Sequence, residues 1–407
     1  MNENYIVEDI SNVANRAWFS IKDFEFDIDS NCRTALTKKF LEKKTNIPSI
    51  VELKEMFRTD FNQMHTALFI RKIFTMISKN KKNFNVKTEN VFLTFDAAGN
   101  WRDVFLEELI KETFEKNSEQ GEVSKEDVIY LGSIEIDAYK GGRAKTPELK
   151  KSKKEIKKAI ELFYYVATTI GLNTYKKEGY EADDFYYLIK KQLIKNGAKG
   201  NLIFATNDHD MDQLANSTEI KEEEIDYLNA VKYDTITNKI IQEIGFKSLM
   251  KKIIIGDSSD NISSILPSMY LSEITGVSIE KEKNLKERVL GEKFVKGLID
   301  DYEVIDEDNF KKVLEDLVNK ITKKYYAKIL KKTKEVNYEV FFTEGKLKEL
   351  IIYLTNRNLM LIDMRSIPIE LEEDFERQEV QKEKKENKLE NQSKQLKKWD
   401  IIKKREV

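Results

Sequence analysis

Carboxylates carry the most chemistry in this chain, and they come in groups. Tyr5-Ile-Val-Glu-Asp9 and Asn90-Val-Phe-Leu-Thr-Phe-Asp96 are apolar runs that end in acid. Gly179-Tyr-Glu-Ala-Asp-Asp-Phe185 packs Glu181, Asp183 and Asp184 into four positions. Thr206-Asn-Asp-His-Asp-Met-Asp-Gln-Leu214 and Gly256-Asp-Ser-Ser-Asp-Asn261 add Asp208, Asp210, Asp257 and Asp260. Taken singly, each group also fits an ordinary role. Acids in a first helical turn complement the helix dipole, and Asp and Asn cap helices and build turns. Taken together, nine acids at one sheet edge repel one another unless a cation neutralises them. Hard divalent cations prefer oxygen ligands, and Mg²⁺ keeps several waters. Two such ions about 3.5–4 Å apart activate water and stabilise the leaving oxygen of a phosphodiester. Asp212 receives no role, and His209 is read as an exposed neighbour of the ligands.

The rest of the inventory points the same way. The chain has only two histidines, His65 and His209, which argues against His-ligated zinc and against triads that need a His base. The single cysteine, Cys32, excludes an internal disulfide and fits a reducing compartment. No apolar run approaches the roughly 20 residues of a membrane span, and the N-terminus lacks a signal-peptide pattern. The expectation is a protein of the cytoplasm. A formal net charge of −2 hides 70 basic and 72 acidic side chains. A nucleic-acid binder then requires that they segregate into basic stripes and an acidic pocket.

These acids need elements to hold them. Apolar runs at 5–9, 90–96 and 201–206 read as buried strands, with Asp9, Asp96, Asp208 and Asp210 just after them. Residues 62–79, 155–171 and 180–195 have helical spacing, with apolar Met64, Leu68, Ile70, Ile73, Phe74 and Ile77 in the first. Alternating strands and helices predict an α/β fold with a mainly parallel sheet. Functional residues of such sheets gather at the carboxyl ends of the strands. The expected division is a catalytic domain over 1–255, a helical domain over 256–371 and a charged tail over 372–407, either disordered or a lone solvated helix. Added segments are expected at about 20–60 and 103–138.

In order and spacing, Gly179–Phe185, Thr206–Leu214 and Gly256–Ile262 resemble the acidic motifs of the 5′ nucleases, the flap endonucleases and 5′→3′ exonucleases. Asp9-Ile-Ser-Asn-Val-Ala-Asn-Arg-Ala-Trp18 resembles the family's N-terminal Asp segment. Phe95-Asp96 followed by Trp101-Arg102 resembles its second Asp motif, and Tyr139-Lys-Gly-Gly-Arg143 its Tyr-Lys-x-x-Arg motif. Asn356-Arg-Asn-Leu-Met-Leu-Ile-Asp-Met-Arg-Ser-Ile-Pro368 is most similar to bacteriophage ribonuclease H, a phage replication member.

The resemblance implies a PIN-like sheet, a helix-three-turn-helix-like duplex-binding domain, and two or more Mg²⁺ ions, with Mn²⁺ able to substitute. It implies that Asp9, Asp96, Glu181 and Asp183 hold one ion, and that Asp208, Asp210, Asp257 and Asp260 hold the second. Asp184 is then a further catalytic acid that bridges or supports the ligands. Lys140 and Arg143 reach the scissile phosphate. Arg102 either contacts DNA phosphate or pairs with a nearby acid, Tyr139 either stacks on a base or is a core aromatic, and Lys281, Lys283 and Lys286 are candidates for DNA phosphate contacts or a solvated helix face. The family's Gly-x-Gly loop is missing after Asn261, which argues against a potassium site. The apolar cluster Leu396, Trp399, Ile401 and Ile402 on a polar tail suggests a docking peptide for a sliding clamp or single-strand-binding protein.

The expected activity is hydrolysis at 5′ ends or flaps of DNA and in RNA–DNA hybrids. It corresponds to primer removal by a monomer, in a host cytoplasm if the source is a phage. Two competing readings are a non-catalytic protein that binds branched DNA and a PIN-type ribonuclease.

Overall fold

The computed structural model describes residues 3–25, 62–118, 147–242, 245–257, 260, 262, 264–265, 292–335 and 343–379. A six-stranded sheet lies at its centre, built from β1 (Glu3–Asp9), β2 (Val91–Thr94), β3 (Asn173–Tyr175), β4 (Gly200–Ala205), β5 (Leu228–Asp234) and β6 (Lys239–Ile240). The spatial order is β3-β2-β1-β4-β5-β6. All pairs are parallel except β5 with β6. The expected mainly parallel α/β sheet is therefore present, with three strands beyond those marked by apolar runs ending in acid.

Helices cover both faces, as a parallel sheet requires. On one face lie α1 (Ile10–Glu25), α2 (Asn62–Asn83) and α4 (Pro147–Thr169), whose Val13, Ile70, Ile73 and Phe163 meet Ile6, Leu93, Phe95 and Ile203 of the sheet. The other face packs α5 (Ala182–Lys195), with Phe185, Tyr186 and Ile189 against Tyr5, Val7, Leu202 and Phe204. The alternation of strand side chains decides this division: Ile6 faces one layer, Tyr5 and Val7 the other.

A third core is built mainly by helices. It joins α6 (Gly245–Ile255), α7 (Glu292–Asp300), α8 (Phe310–Glu335) and α9 (Glu344–Ile362) through Leu249, Met250, Ile253, Val295, Leu317, Ile321, Ile351 and Leu354. The apolar run before Asp257 is thus the end of a helix, and α6 packs with the helical layer although the expected boundary fell after it, at 255. The helix α3 (Trp101–Ser118) begins inside the structure, with Trp101 and Leu106 buried in different cores. Its first turns are therefore not peripheral, although an insertion was expected from residue 103. The described helices include none long and apolar enough to cross a membrane.

The tail corrects another expectation. Residues 369–379 form a helix, α10. Its Phe375 is buried against Tyr175 and Phe185 at centroid distances of 5.8 and 6.2 Å. Asp374 pairs with Lys177, Glu372 with Lys191 and Glu376 with Lys195. The first eight residues of the expected tail are thus docked by one aromatic anchor, by ion pairs to Lys191 and Lys195 of α5, and by one to Lys177 ahead of it. A charge-rich composition conceals a single deeply buried ring.

Candidate metal centre

The sheet has a switch point at β1. The chain winds outward from β1 through β2 to β3, then returns to β4 on β1's other side and continues to β5. Crevices beyond the carboxyl ends of strands form at such points. Asp9 ends β1, Asp96 lies two residues past β2, and Asp208 three past β4. Their convergence follows from strand order, which brings sequence-distant segments side by side.

The carboxylates of Asp183, Asp208 and Asp210 each place an oxygen within 4.8 Å of the others. Asp183 comes from the first turn of α5, and Asp208 and Asp210 open the 3-10 turn His209–Leu214. Asp210 N–H donates to Asp208 Oδ1 at 2.9 Å, and Asp208 N–H to Thr206 Oγ1 at 3.0 Å. Burial and the Asp210 charge hold the Asp208 carboxyl above the usual range.

Asp9 and Asp96 lie outside this group of three and are held by bonds to neighbouring segments. Asp9 accepts from the Ser11 and Asn12 amides at 2.7 and 3.2 Å, capping α1, and its own amide donates to the Tyr186 hydroxyl at 2.6 Å. Asp96 accepts from Ser11 Oγ at 2.7 Å and from the Ala182 amide at 3.1 Å. The Asn12 amide nitrogen donates to Asn207 Oδ1. Burial, then Asp96 and Asp208, push the Asp9 carboxyl well above the ordinary value. The neighbouring Glu8 lies on the opposite face, bonded by Asn80 at 3.2 Å, and its burial raises it to about 7.

Lys252 sits among these acids, and sequence reasoning missed it. Its ammonium donates to Asp210 Oδ1, and to Asp257 Oδ2 at 2.8 Å. Burial alone lowers its pKa, but Asp210 and Asp257 more than offset this, so the net shift is upward. Gly256, at φ +84, ends α6 in the left-handed conformation that glycine tolerates. Asp257 and Ile262 then exchange backbone bonds of 2.8 Å, closing the turn in which Asp260 is buried.

For two residues the structure matches one of the alternative readings. Arg102 is 3% exposed and cannot contact DNA. Its guanidinium donates to Asp184 Oδ1 at 2.9 Å, Glu181 Oε2 at 3.1 Å and the Leu361 carbonyl at 3.0 Å. Asp184 is fully buried, and its Oδ2 accepts from the Trp101 indole and the Glu181 amide at 3.2 and 2.8 Å. Its oxygens are committed to the protein, which fits the role of supporting the ligands rather than bridging them. An acid that completes a capping box and balances a buried arginine looks, in sequence, the same as a ligand. Glu181 caps α5 with one oxygen already drawn to Arg102. Tyr139, Lys140, Arg143, Lys281, Lys283, Lys286, Leu396, Trp399, Ile401 and Ile402 lie outside the described residues.

Asn356–Pro368 closes the site from behind. Asn358 donates to the Ile253 carbonyl at 2.8 Å, and Gln213 donates to Ile362 O at 2.9 Å and accepts from Met364 N at 3.1 Å. The turn carrying the acids is thereby tied to the helical layer.

Residues 133–245 match the family model for the 5′-3′ exonuclease, N-terminal resolvase-like domain. This bears out the resemblance read from the motifs, over a stretch that includes Tyr139–Arg143, Glu181–Asp184 and Asp208–Asp212. DNA polymerase I from Lactococcus lactis subsp. lactis is 29% identical over 160 residues, 37% of this chain and 17% of that protein. Its counterpart from subsp. cremoris gives the same values. The chain thus spans under a fifth of the length of these relatives. A T5 protein co-crystallised with metal ions aligns over 93% of this chain and 99% of its own, at 13% identity and a TM-score of 0.47. T5 5′-exonuclease with bound zinc aligns over 89% and 90%, at 14% and 0.45.

Proposed function

We propose that this chain, which carries a 5′-3′ exonuclease resolvase-like domain, is a divalent-cation-dependent nuclease acting on 5′ ends or flaps of DNA and on RNA–DNA hybrids. The observation that carries this reading is the convergence of Asp183, Asp208 and Asp210 at the carboxyl edge of a parallel sheet, beside its switch point. The donor set is entirely oxygen, which suits Mg²⁺, with Mn²⁺ as a substitute. Burial first, and neighbouring carboxylates second, raise the proton affinity of Asp9 and Asp208, and a cation would relieve the second cause.

In this reading Asp9, Asp96 and Asp183, with Glu181, hold one ion, while Asp208, Asp210, Asp257 and Asp260 hold the other. When bound, the ions supply an activated water and stabilise charge on the phosphodiester. The protein's own groups orient and neutralise. Ser11 and Ala182 fix Asp96, Tyr186 fixes the end of β1, and Lys252 offsets the charge of Asp210 and Asp257. Lys140 and Arg143 are assigned to the scissile phosphate on the motif resemblance, and the product carries a 5′-phosphate. The likeness of Asn356–Pro368 to the phage enzyme supports primer removal in phage replication, with a clamp or single-strand-binding protein docking at Leu396–Ile402.

The test offers a labelled 5′-flap duplex and a single-stranded RNA, each with Mg²⁺ and with EDTA. Metal-dependent cleavage near the flap junction is expected. Flap binding without cleavage would sink the catalytic reading, and cleavage of the RNA alone would sink the substrate class.

A further inference from the structure

We infer that the buried ion pair of Lys232 and Asp212 positions the metal centre by pinning the turn that presents Asp208 and Asp210. This rests on the reading that those acids hold a cation. Lys232 Nζ lies 2.5 Å from Asp212 Oδ1, and the two side chains are 1% and 7% exposed. Lys232 sits on β5, in ladder register with Phe204 of β4, the strand from which the turn departs. The other oxygen of Asp212 lies 3.2 Å from His209 Nδ1, at the start of the same turn. One carboxylate therefore ties the turn internally and anchors it to the neighbouring strand.

The turn needs such an anchor. It is a short 3-10 segment, a conformation with poor hydrogen-bond geometry. Its two outward acids repel each other. Met211 and Leu214 are buried beneath it, but apolar contacts are non-directional and set no register. A buried ammonium facing one carboxylate is directional, and displacing either leaves an uncompensated buried charge. The pair is neutral as a unit, so it adds no net charge to the cation site. Its contribution is geometric, and a neutral replacement isolates that contribution.

The double variant Lys232→Met/Asp212→Leu removes the pair while keeping net charge and approximate volume. Buried pairs replaced in this way commonly leave stability intact. Mn²⁺ binding to the whole protein is read by electron paramagnetic resonance, beside the thermal midpoint. A dissociation constant raised about tenfold in a folded double variant is expected, in the range for groups that orient metal ligands. An unchanged constant overturns the inference. Asp212→Glu serves if the double variant misfolds. It keeps the charge and shifts the carboxylate by one methylene; weaker Mn²⁺ binding supports the positioning role, and wild-type affinity overturns it. Failure of the wild type to bind Mn²⁺, or Asp208→Asn binding as well as wild type, would instead overturn the metal reading itself.

Discussion

Arg102 and Asp184 meet as a buried ion pair, Nη1 to Oδ1 2.9 Å apart, one residue along the chain from Asp183, whose carboxylate meets those of Asp208 and Asp210. The acidic motif at 181–184 thus divides its labour. Asp183 faces Asp208 and Asp210, while Asp184 seats α5 on α3. Arg102→Met leaves Asp184 without its counter-charge, and breaking such a buried pair costs about 3–5 kcal/mol. Urea unfolding measures this loss. Wild-type stability in the variant would show that the pair does not seat the helix.

Asp183→Asn and Asp208→Asn should act on chemistry rather than on folding. Each removes one charge from the converged group, so cleavage of a 5′-flap substrate is expected to fall at least about 100-fold, beyond the range for groups that merely orient ligands. Duplex binding, measured by fluorescence anisotropy, should stay near that of wild type. Near-normal cleavage in either variant would remove that residue from the site.

Lys252 gives the metal-free protein an internal counter-ion. Lys252→Met should lower the thermal midpoint in EDTA, because Asp210 and Asp257 then face each other's charge without relief. Added Mg²⁺ should raise the midpoint of the variant more than that of wild type, since a ligand that binds only the folded state stabilises it by mass action. Equal Mg²⁺-induced shifts would mean that the ammonium does not bear on the cation site.

Phe375 makes α10 part of the catalytic layer. Phe375→Ala is expected to cost about 3–5 kcal/mol, the usual range for emptying a buried aromatic site. Truncation after Pro368 should cost more, since it also removes the partners of Lys177, Lys191 and Lys195. Circular-dichroism melts check both. A chain ending at Pro368 with an unchanged melt would make the helix dispensable.

Lys190 supplies a pH signature. Its ammonium donates to the Leu214 carbonyl at 2.7 Å, and burial lowers its pKa to about 8 from 10.5. The unfolded chain therefore holds this proton more tightly between those values. Stability from this group is present above pH 10.5 and is lost as pH falls to about 8. The stability of wild type relative to Lys190→Met should thus rise between pH 8 and 10, as read by chemical denaturation at each pH. A difference that does not vary over this window would show that the lysine is not destabilised by burial.

Strand-end acids were legible because a buried parallel strand writes itself as a continuous apolar run, and its carboxyl end is where polar residues must begin. Asp9, Asp96 and Asp208 followed from that rule. The boundary before α6 was hidden, because an apolar run before an acid reads alike as strand or helix. Lys252 and Lys232 gave no signal among 70 basic residues. Only their placement opposite acids distinguishes them.

The sequence by itself determined the fold class, the all-oxygen chemistry and the order of the acidic motifs. These depend on residue type and short-range spacing, which a chain displays before it folds. Tertiary structure decided which acids point into the centre and which are consumed by the scaffold. Asp183 and Asp184 differ by one residue, yet the turn of a helix and the packing of Arg102 send one toward Asp208 and the other into a buried ion pair. That choice is set by the position of α3 and the C-terminal helices, long-range contacts that no local pattern encodes.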